Sequence, residues 1–264
     1  MKNFKIKVFD DLEELGNYTA NQVMGQYRQK GKLVLGIPWG STPIPFFQSF
    51  GKLVRKGEIG LENVDIFVMD EYIMPSNGGY SFGNENVPYG GHYKIKTDFL
   101  GELPPKVAER VNIHFPDPNN PGNFEKLIKS LGGIDIFLVA TGAEDGHVAM
   151  CGPGTPLESN TRIIEISESV RDYNFTKYKE YFGNDKKNVP KYGITVGLRT
   201  ILDARRLLFV AHGSEKARIV ETLYDAKGFD ANWPITFLWE AKEKTELYID
   251  KTVARNIAGL VQGE

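Results

Sequence analysis

Short apolar runs alternate with helix-length segments along the whole chain, and this alternation constrains the fold more than any other feature. Strands are expected at Phe4–Phe9, Leu33–Ile37, Val64–Met69, Val111–Phe115, Ile134–Ala140, Ile163–Ile166, Gly193–Val196, Arg206–Ala211 and Leu247–Asp250. Several are near-continuous apolar or β-branched runs, the pattern of strands covered by helices on both faces. Between them, helices are expected at Asp11–Gln29, Pro43–Lys56, Asn123–Ser130, Thr200–Asp203 and Ser214–Tyr224. Such alternation predicts an α/β fold with a mostly parallel, doubly wound sheet. In that architecture ligands bind beyond the carboxyl ends of the strands, so the strand-to-helix turns are where chemistry is sought.

By length alone, 264 residues fit one large domain or two small ones. No internal repeat and no Ser- or Pro-rich linker divides the chain, so residues 1–264 read as a single domain. The one cysteine, Cys151, has no partner for an intramolecular bridge, which points to a reducing compartment and a cytoplasmic location. The N-terminus is too short and too charged for a signal segment, and no run approaches the roughly 20 apolar residues of a membrane span. A net charge of -2 gives no reason to expect nucleic acid. The expected partner is a small molecule, with no nucleic acid and no membrane; self-association as a homo-oligomer stays open. Ile73–Asp98 holds five glycines, two prolines and three tyrosines and reads as a long irregular loop, either a lid or a surface insertion. Asp172–Lys191, rich in Lys, Tyr and Asn, reads as a second candidate for mobility.

Four turns carry residues suited to chemistry. After the strand ending at Ile37, Gly40-Ser41-Thr42 leads into a helix. Glycine admits an anion close to the backbone, the hydroxyls donate, and the helix N-terminus favours a phosphate. An ordinary capped βα turn has the same composition. The loop lacks the Walker lysine and the spaced dinucleotide glycines, which disfavours a nucleotide. Asp70 and Glu71 end the next buried strand; adjacent residues point to opposite sides, so one of the two faces the site, where it suits a general base, though a helix cap or a surface ion pair has the same local signature and is the commoner case. Asp145-Gly146-His147 follows the Ile134–Ala140 strand and makes a compact acid–base unit, a carboxylate beside an imidazole; a solvated loop histidine is the alternative reading, evenly weighed against it by the place at the end of a core strand. Lys216 lies in the first turn of a helix, a place that suits a lysine when an anion is bound beside it; an exposed surface lysine fits the local sequence equally well. The histidines His92, His114, His147 and His212 show no metal-ligand spacing, so neither metal nor other cofactor is expected. Cys151 reads as a small buried residue, because Gly152-Pro153-Gly154 ends any helix that would bring it to His147.

Taken in order, these turns and their neighbours resemble the glucosamine-6-phosphate deaminase/isomerase family and, more distantly, the 6-phosphogluconolactonases that share its fold. The matching pieces are Gly-Ser-Thr-Pro at 40–43, Met-Asp-Glu-Tyr at 69–72, Glu-Asp-Gly-His-Val-Ala at 144–149 and Pro-Gly-Thr-Pro-Leu-Glu-Ser-Asn-Thr-Arg at 153–162. Val-Pro-Lys-Tyr-Gly-Ile-Thr-Val-Gly at 189–197, Leu-Asp-Ala at 202–204 and Gly-Ser-Glu-Lys-Ala at 213–217 complete the set. The resemblance implies a Rossmann-like three-layer α/β sandwich and a sugar-phosphate ligand. It assigns the C2–C1 proton shift to Asp70, and ring opening to His147 supported by Asp145. It gives the phosphate to Gly40, Ser41, Thr42 and Lys216.

Two positions depart from the family pattern. Gly152 stands where the deaminases carry a glutamate that completes the ring-opening group, and glycine supplies no carboxylate. Glu180 stands where the family has a phosphate-binding arginine, and an anion there repels a phosphate. Arg171 or Arg199 is then the expected replacement cation. The sequence after His147 lacks the lactonase-style continuation, so the chain reads as a diverged member of the deaminase branch. A lactonase-like hydrolase and a non-catalytic sugar-phosphate-binding protein stand as the alternatives.

Overall fold

The computed structural model describes residues 4–142, 144–255 and 257. Among the described residues, seven strands form a parallel sheet: β1 (Lys5–Phe9), β2 (Leu33–Ile37), β3 (Val64–Val68), β6 (Asn112–His114), β7 (Ile136–Val139), β10 (Arg206–Ala211) and β11 (Thr245–Asp250). Their order is β1-β11-β10-β7-β2-β3-β6. The chain runs from β2 outward to β3 and β6 on one side, and from β7 outward to β10 and β11 on the other. The reversal of direction falls between β2 and β7, which is where a doubly wound sheet opens a crevice at its carboxyl edge.

Strand residues of opposite parity feed the two faces, as the period of two requires. Leu33, Leu35, Ile37, Ile66, Val68 and Leu138 pack under the helices α1 (Leu12–Lys30) and α2 (Ile44–Arg55). Val34, Phe67, Phe137, Val139, Leu207 and Phe209 pack on the other side, against the helices at Pro121–Ser130 and Ala217–Asp225. The result is the three-layer sandwich expected from the alternation. α1 begins at Asp11, whose carboxylate accepts from the Glu14 amide, and ends at Gly31 in the left-handed region.

Two of the expected strands belong elsewhere. The segments at 163–166 and 193–196 do not enter the central sheet. They lie in a four-stranded antiparallel sheet made of β4 (Asp70–Ser76), β5 (Gly79–Phe82), β8 (Arg162–Glu165) and β9 (Tyr192–Thr195), ordered β5-β4-β9-β8. The chain passes directly from β3 to β4. Met69 donates its amide to Ile37 of the large sheet and accepts from the Val196 amide of the small one. The expected irregular loop at 73–98 is therefore largely regular. It holds the β4–β5 hairpin, turning at Asn77-Gly78 with Gly78 at φ 83°, and then helical turns from Gly91 to Glu102. Glycine content hid the hairpin: the glycines serve its turn and its flanks rather than a disordered lid. Likewise 172–191 is mostly helical, with a helix at Glu168–Tyr178 and tighter turns at Lys179–Phe182 and Lys186–Asn188.

Gly36 shows how closely the layers meet. A Cβ on it would lie 2.6 Å from the ring of Phe137 on the neighbouring strand β7, and that ring is fully buried. Gly36→Ala is expected to destabilise the protein by about 1–3 kcal/mol, the usual cost of overfilling a packed core. Adding Phe137→Leu should make the double variant less destabilised than the sum of the two singles, as read from denaturation midpoints.

Candidate active site

Loops from four adjacent strands converge on the carboxyl edge of the large sheet. β2 delivers Trp39, Gly40, Ser41 and Thr42; β3 delivers Asp70; β7 delivers the turn carrying Asp145 and His147; β10 delivers Lys216. Gly40, Ser41, Thr42, Asp70, His147 and Lys216 all line one cleft. Asp145 lies at its mouth, behind His147.

Gly40 adopts φ 106°, a conformation that L side chains rarely take, and this turns the chain sharply into α2. Pro43 is the N-cap of α2, and no side chain satisfies the free amides of its first turn. The hydroxyls of Ser41 and Thr42 are thus not used as helix caps; the Ile44 amide donates to the Ser41 carbonyl and Pro45 carries no N–H, so those two hydroxyls are what this turn chiefly offers an anion.

At the other end of the cleft Asp70 is only 4% exposed. Burial is the main reason its carboxyl is pushed up to about 8, with the neighbouring Glu71 charge adding to the rise and a hydrogen bond from Trp39 opposing it. Glu71 points away from the cleft. It accepts from the amides of Gly91 (3.0 Å) and His92 (2.6 Å), so of the two adjacent carboxylates it is Asp70 that faces the ligand space.

His147 Nδ1 lies 2.6 Å from Asp145 Oδ1, and the His147 amide donates to the same oxygen. Ser169 donates to Asp145 Oδ2 at 3.2 Å. Burial alone would raise the Asp145 carboxyl, but the hydrogen bond and charge of His147 outweigh it and hold the group at about 2. An ionised Asp145 fixes the proton on Nδ1 and leaves Nε2 to act toward the cleft. The imidazole needs a glycine beside it. A Cβ on Gly142 would fall 2.1 Å from the His147 ring. Ala149, also lining the cleft, takes φ 54°, a strained value for a non-glycine residue.

Lys216 reaches across to the Thr141 carbonyl (2.5 Å). Burial lowers its pKa, and the nearby Lys177 lowers it further, against Glu215 and Asp145, which raise it. Lys177 is the residue that motif reading missed. It projects from the Glu168–Tyr178 helix into the cleft together with Val170, Tyr173 and Asn174. Those four positions, i, i+3, i+4 and i+7, form one helical face; that spacing was the available signal.

The two arginines expected to replace the missing phosphate cation do not reach the cleft. Arg199 is bound on the surface to Asp203 (2.8 Å) and Glu158 (3.7 Å), one turn along and across its own helix. Arg171 pairs with Glu168 at 3.1 Å and donates to the Val189 carbonyl, on the side of its helix away from the cleft-lining face. Glu180 is exposed and does not line the cleft, so its charge does not oppose an anion there. A Cβ built on Gly152 would meet the Ser167 hydroxyl at 3.8 Å, an ordinary contact, so nothing near it forbids a side chain there and the position carries none. Cys151 is buried beneath the cleft with its thiol on the Val196 carbonyl. Among the described residues, no three His, Cys, Asp or Glu side chains gather in a group that could hold a metal ion.

Comparisons with known proteins identify the family. The model of the glucosamine-6-phosphate isomerases/6-phosphogluconolactonase family matches residues 10–248. A glucosamine-6-phosphate deaminase of Aedes aegypti is 30% identical over 246 residues, covering 88% of this chain and 81% of that one. A second, of Bacillus velezensis, is 31% identical over 246 residues, covering 90% and 94%. Among solved structures, a monomeric glucosamine-6-phosphate deaminase superposes with a TM-score of 0.80 at 25% identity, over 96% of this chain and 99% of the other. A 6-phosphogluconolactonase from Trypanosoma brucei shares the fold at 17% identity and a TM-score of 0.68, over 96% and 98%. With a family model spanning nearly the whole sheet and all four site loops, the chain belongs to the glucosamine-6-phosphate isomerase/6-phosphogluconolactonase family.

Proposed function

We propose that this protein is a deaminating sugar-phosphate isomerase that converts glucosamine 6-phosphate to fructose 6-phosphate and ammonia. The observation that carries the reading is one cleft lined together by a buried carboxyl, a carboxylate-oriented histidine, two lysines and the hydroxyl-bearing loop before α2. The phosphate docks on the amides and hydroxyls of Ser41 and Thr42, with Gly40 giving close approach and Lys216 and Lys177 neutralising its charge. Lys177 takes the place that sequence comparison assigned to an arginine.

His147, held by Asp145, moves the proton between the ring oxygen and the C1 hydroxyl as the pyranose opens to the aldehyde. Asp70 removes the proton from C2, leaving an enolamine, and returns a proton to C1. The C2 imine so formed adds water and expels ammonia, giving the ketose. Every step is a proton transfer or an addition of water, which a carboxylate and an imidazole suffice to carry. A burial-raised carboxyl is a stronger base once ionised, and placing it near pH 8 suits abstraction of a weakly acidic carbon-bound proton. The lack of a carboxylate at Gly152 supports one alternative, in which His147 directs water at a lactone carbonyl without a third acid.

Incubation with glucosamine 6-phosphate should release ammonia and fructose 6-phosphate in equal amounts. Acid release from 6-phosphogluconolactone in a pH-stat without any ammonia would replace this reading with the hydrolytic one; absence of turnover on either, with phosphosugar binding retained, would leave a binding protein.

Asp70→Asn should cut turnover by about 10²–10⁴-fold, the usual worth of a positioned base. The same variant should melt at a higher temperature than the parent at pH 7. The folded-state pKa of Asp70 is raised, so the group's contribution to stability is full below its unfolded pKa, near 4, and is lost as pH rises through about 8. Removing the ionisable group removes that loss. In the parent, kcat/KM should fall as pH drops below about 8, because the base then carries its proton.

Lys177→Met should raise KM for glucosamine 6-phosphate by about 10-fold or more, as for a lost charge-assisted hydrogen bond, with little change in kcat. Inorganic phosphate should protect the parent from thermal unfolding more than it protects this variant.

A further inference from the structure

Two buried carboxylates stand next to each other at the start of β4, and the cleft uses one of them. Glu71, 4% exposed, is turned into the protein, where it accepts from the amides of Tyr72 (2.7 Å), Gly91 (3.0 Å) and His92 (2.6 Å). Its Oε2 is also 2.6 Å from His92 Nδ1. With Nδ1 protonated all four partners are donors, so the place is built to receive a carboxylate. The His92 ring is itself fixed, stacked on Phe115 with centroids 3.8 Å apart and meeting Phe82 edge-on at 4.7 Å. Gly91 packs so tightly that a Cβ there would sit 2.9 Å from Trp39 Nε1, 3.1 Å from Glu71 Oε2 and 3.2 Å from the Asp70 carbonyl. The same Trp39 Nε1 donates to the Asp70 carbonyl at 3.0 Å.

We propose that Glu71 is a positioning residue for Asp70: its latch on Gly91 and His92 fixes the backbone from which Asp70 projects and holds a negative charge beside the Asp70 carboxyl. The inference rests on reading Asp70 as the base of the proton shift. After burial, the Glu71 charge is the next largest cause of the raised Asp70 pKa. The other groups around Asp70 are Tyr72 on the same strand, Trp39 from the loop after β2 and Cys151 from the turn after His147. His147, Lys177 and Lys216 line the cleft with it. Glu71 is faced by His92 and by Tyr89, whose hydroxyl pKa its charge raises after burial. A carboxylate held in the wall thus makes its neighbour a stronger base without touching the ligand.

Two variants separate charge from scaffold. Glu71→Gln keeps the size of the side chain and removes the charge. His92→Phe keeps an aromatic ring between Phe115 and Phe82 and removes the partner that offsets the charge. The Asp70 carboxyl is followed by NMR in protein labelled with ¹³C at aspartate, its signal assigned by loss in Asp70→Asn. Glu71→Gln should lower the Asp70 pKa by about one unit, the modest end of a close like-charge effect. His92→Phe should raise it, and the acid limb of kcat/KM on glucosamine 6-phosphate should move in the same two directions. An Asp70 titration that stays put, or that shifts the same way in both variants, overturns the proposal. Should Glu71→Gln fail to fold, His92→Phe decides alone: a raised titration supports the idea and an unmoved one sinks it. Because the NMR titration needs no turnover, a failure of the base assignment shows up separately, as an unmoved kinetic limb beside a shifted Asp70 signal.

Discussion

The site depends on one exchange of hydrogen-bond partners at Met69. Its amide completes the parallel pairing of β3 with β2, and its carbonyl begins the antiparallel pairing with β9. The chain therefore leaves one sheet and enters another without a loop between them. Asp70, the next residue, is paired with Thr195 in the small sheet while its side chain faces the crevice of the large one. A connecting loop would place a carboxylate in water, where nothing raises its pKa. A direct switch buries it, since both sheets and the Trp39 loop close around it. The same exchange brings β9 and β8 over the carboxyl edge, and the Glu168–Tyr178 helix that follows β8 covers the cleft.

The charge distribution follows from this geometry. Lys216 and Lys177 bring cations into the cleft, while Asp70 forms no ion pair among the described residues. Asp145 is different, because His147 and Ser169 compensate its burial and hold it ionised. Two carboxyls of one residue type, in one cleft, are thus set about six pH units apart by what surrounds them. One is suited to orienting an imidazole and the other to exchanging a proton. Opposed environments of this kind mark acid–base roles more sharply than the residue types themselves.

Much of the central sheet was legible because parallel strands buried on both faces are nearly uninterrupted apolar runs, as at Leu33–Ile37 and Val64–Val68. Which sheet a strand joins was not legible. Arg162–Glu165 and Tyr192–Thr195 carry ordinary strand composition, and their antiparallel partners lie far away in sequence. The hairpin at 70–82 was masked by Gly78 and Gly79, which read locally as loop. The strand-to-helix turns were legible because their chemistry is local: glycine, hydroxyl, carboxylate and imidazole lie within a few residues of one another. Lys177 was not, because its role depends on which face of a helix is turned inward.

Lys177 also shows why a departure from a family pattern is a poor guide when read one column at a time. Glu180 stands where an arginine is usual, and on a fixed scaffold that substitution would put like charges together. Yet a cleft selects for a charge at a point in space, and a helix offers the same point from several sequence positions. Lys177 lies three residues, just under one turn, before Glu180, on the face shared by Val170, Tyr173 and Asn174. Glu180 falls beyond the end of that helix, in the turn at Lys179–Phe182, where its side chain meets solvent. The arginines nearest in sequence are already engaged outside the cleft, Arg171 with Glu168 and the Val189 carbonyl, and Arg199 with Asp203 and Glu158. On the proposed reading, Lys177 supplies the cleft's positive charge from a different sequence position, because what a phosphate responds to is charge at a point in space rather than identity at a position.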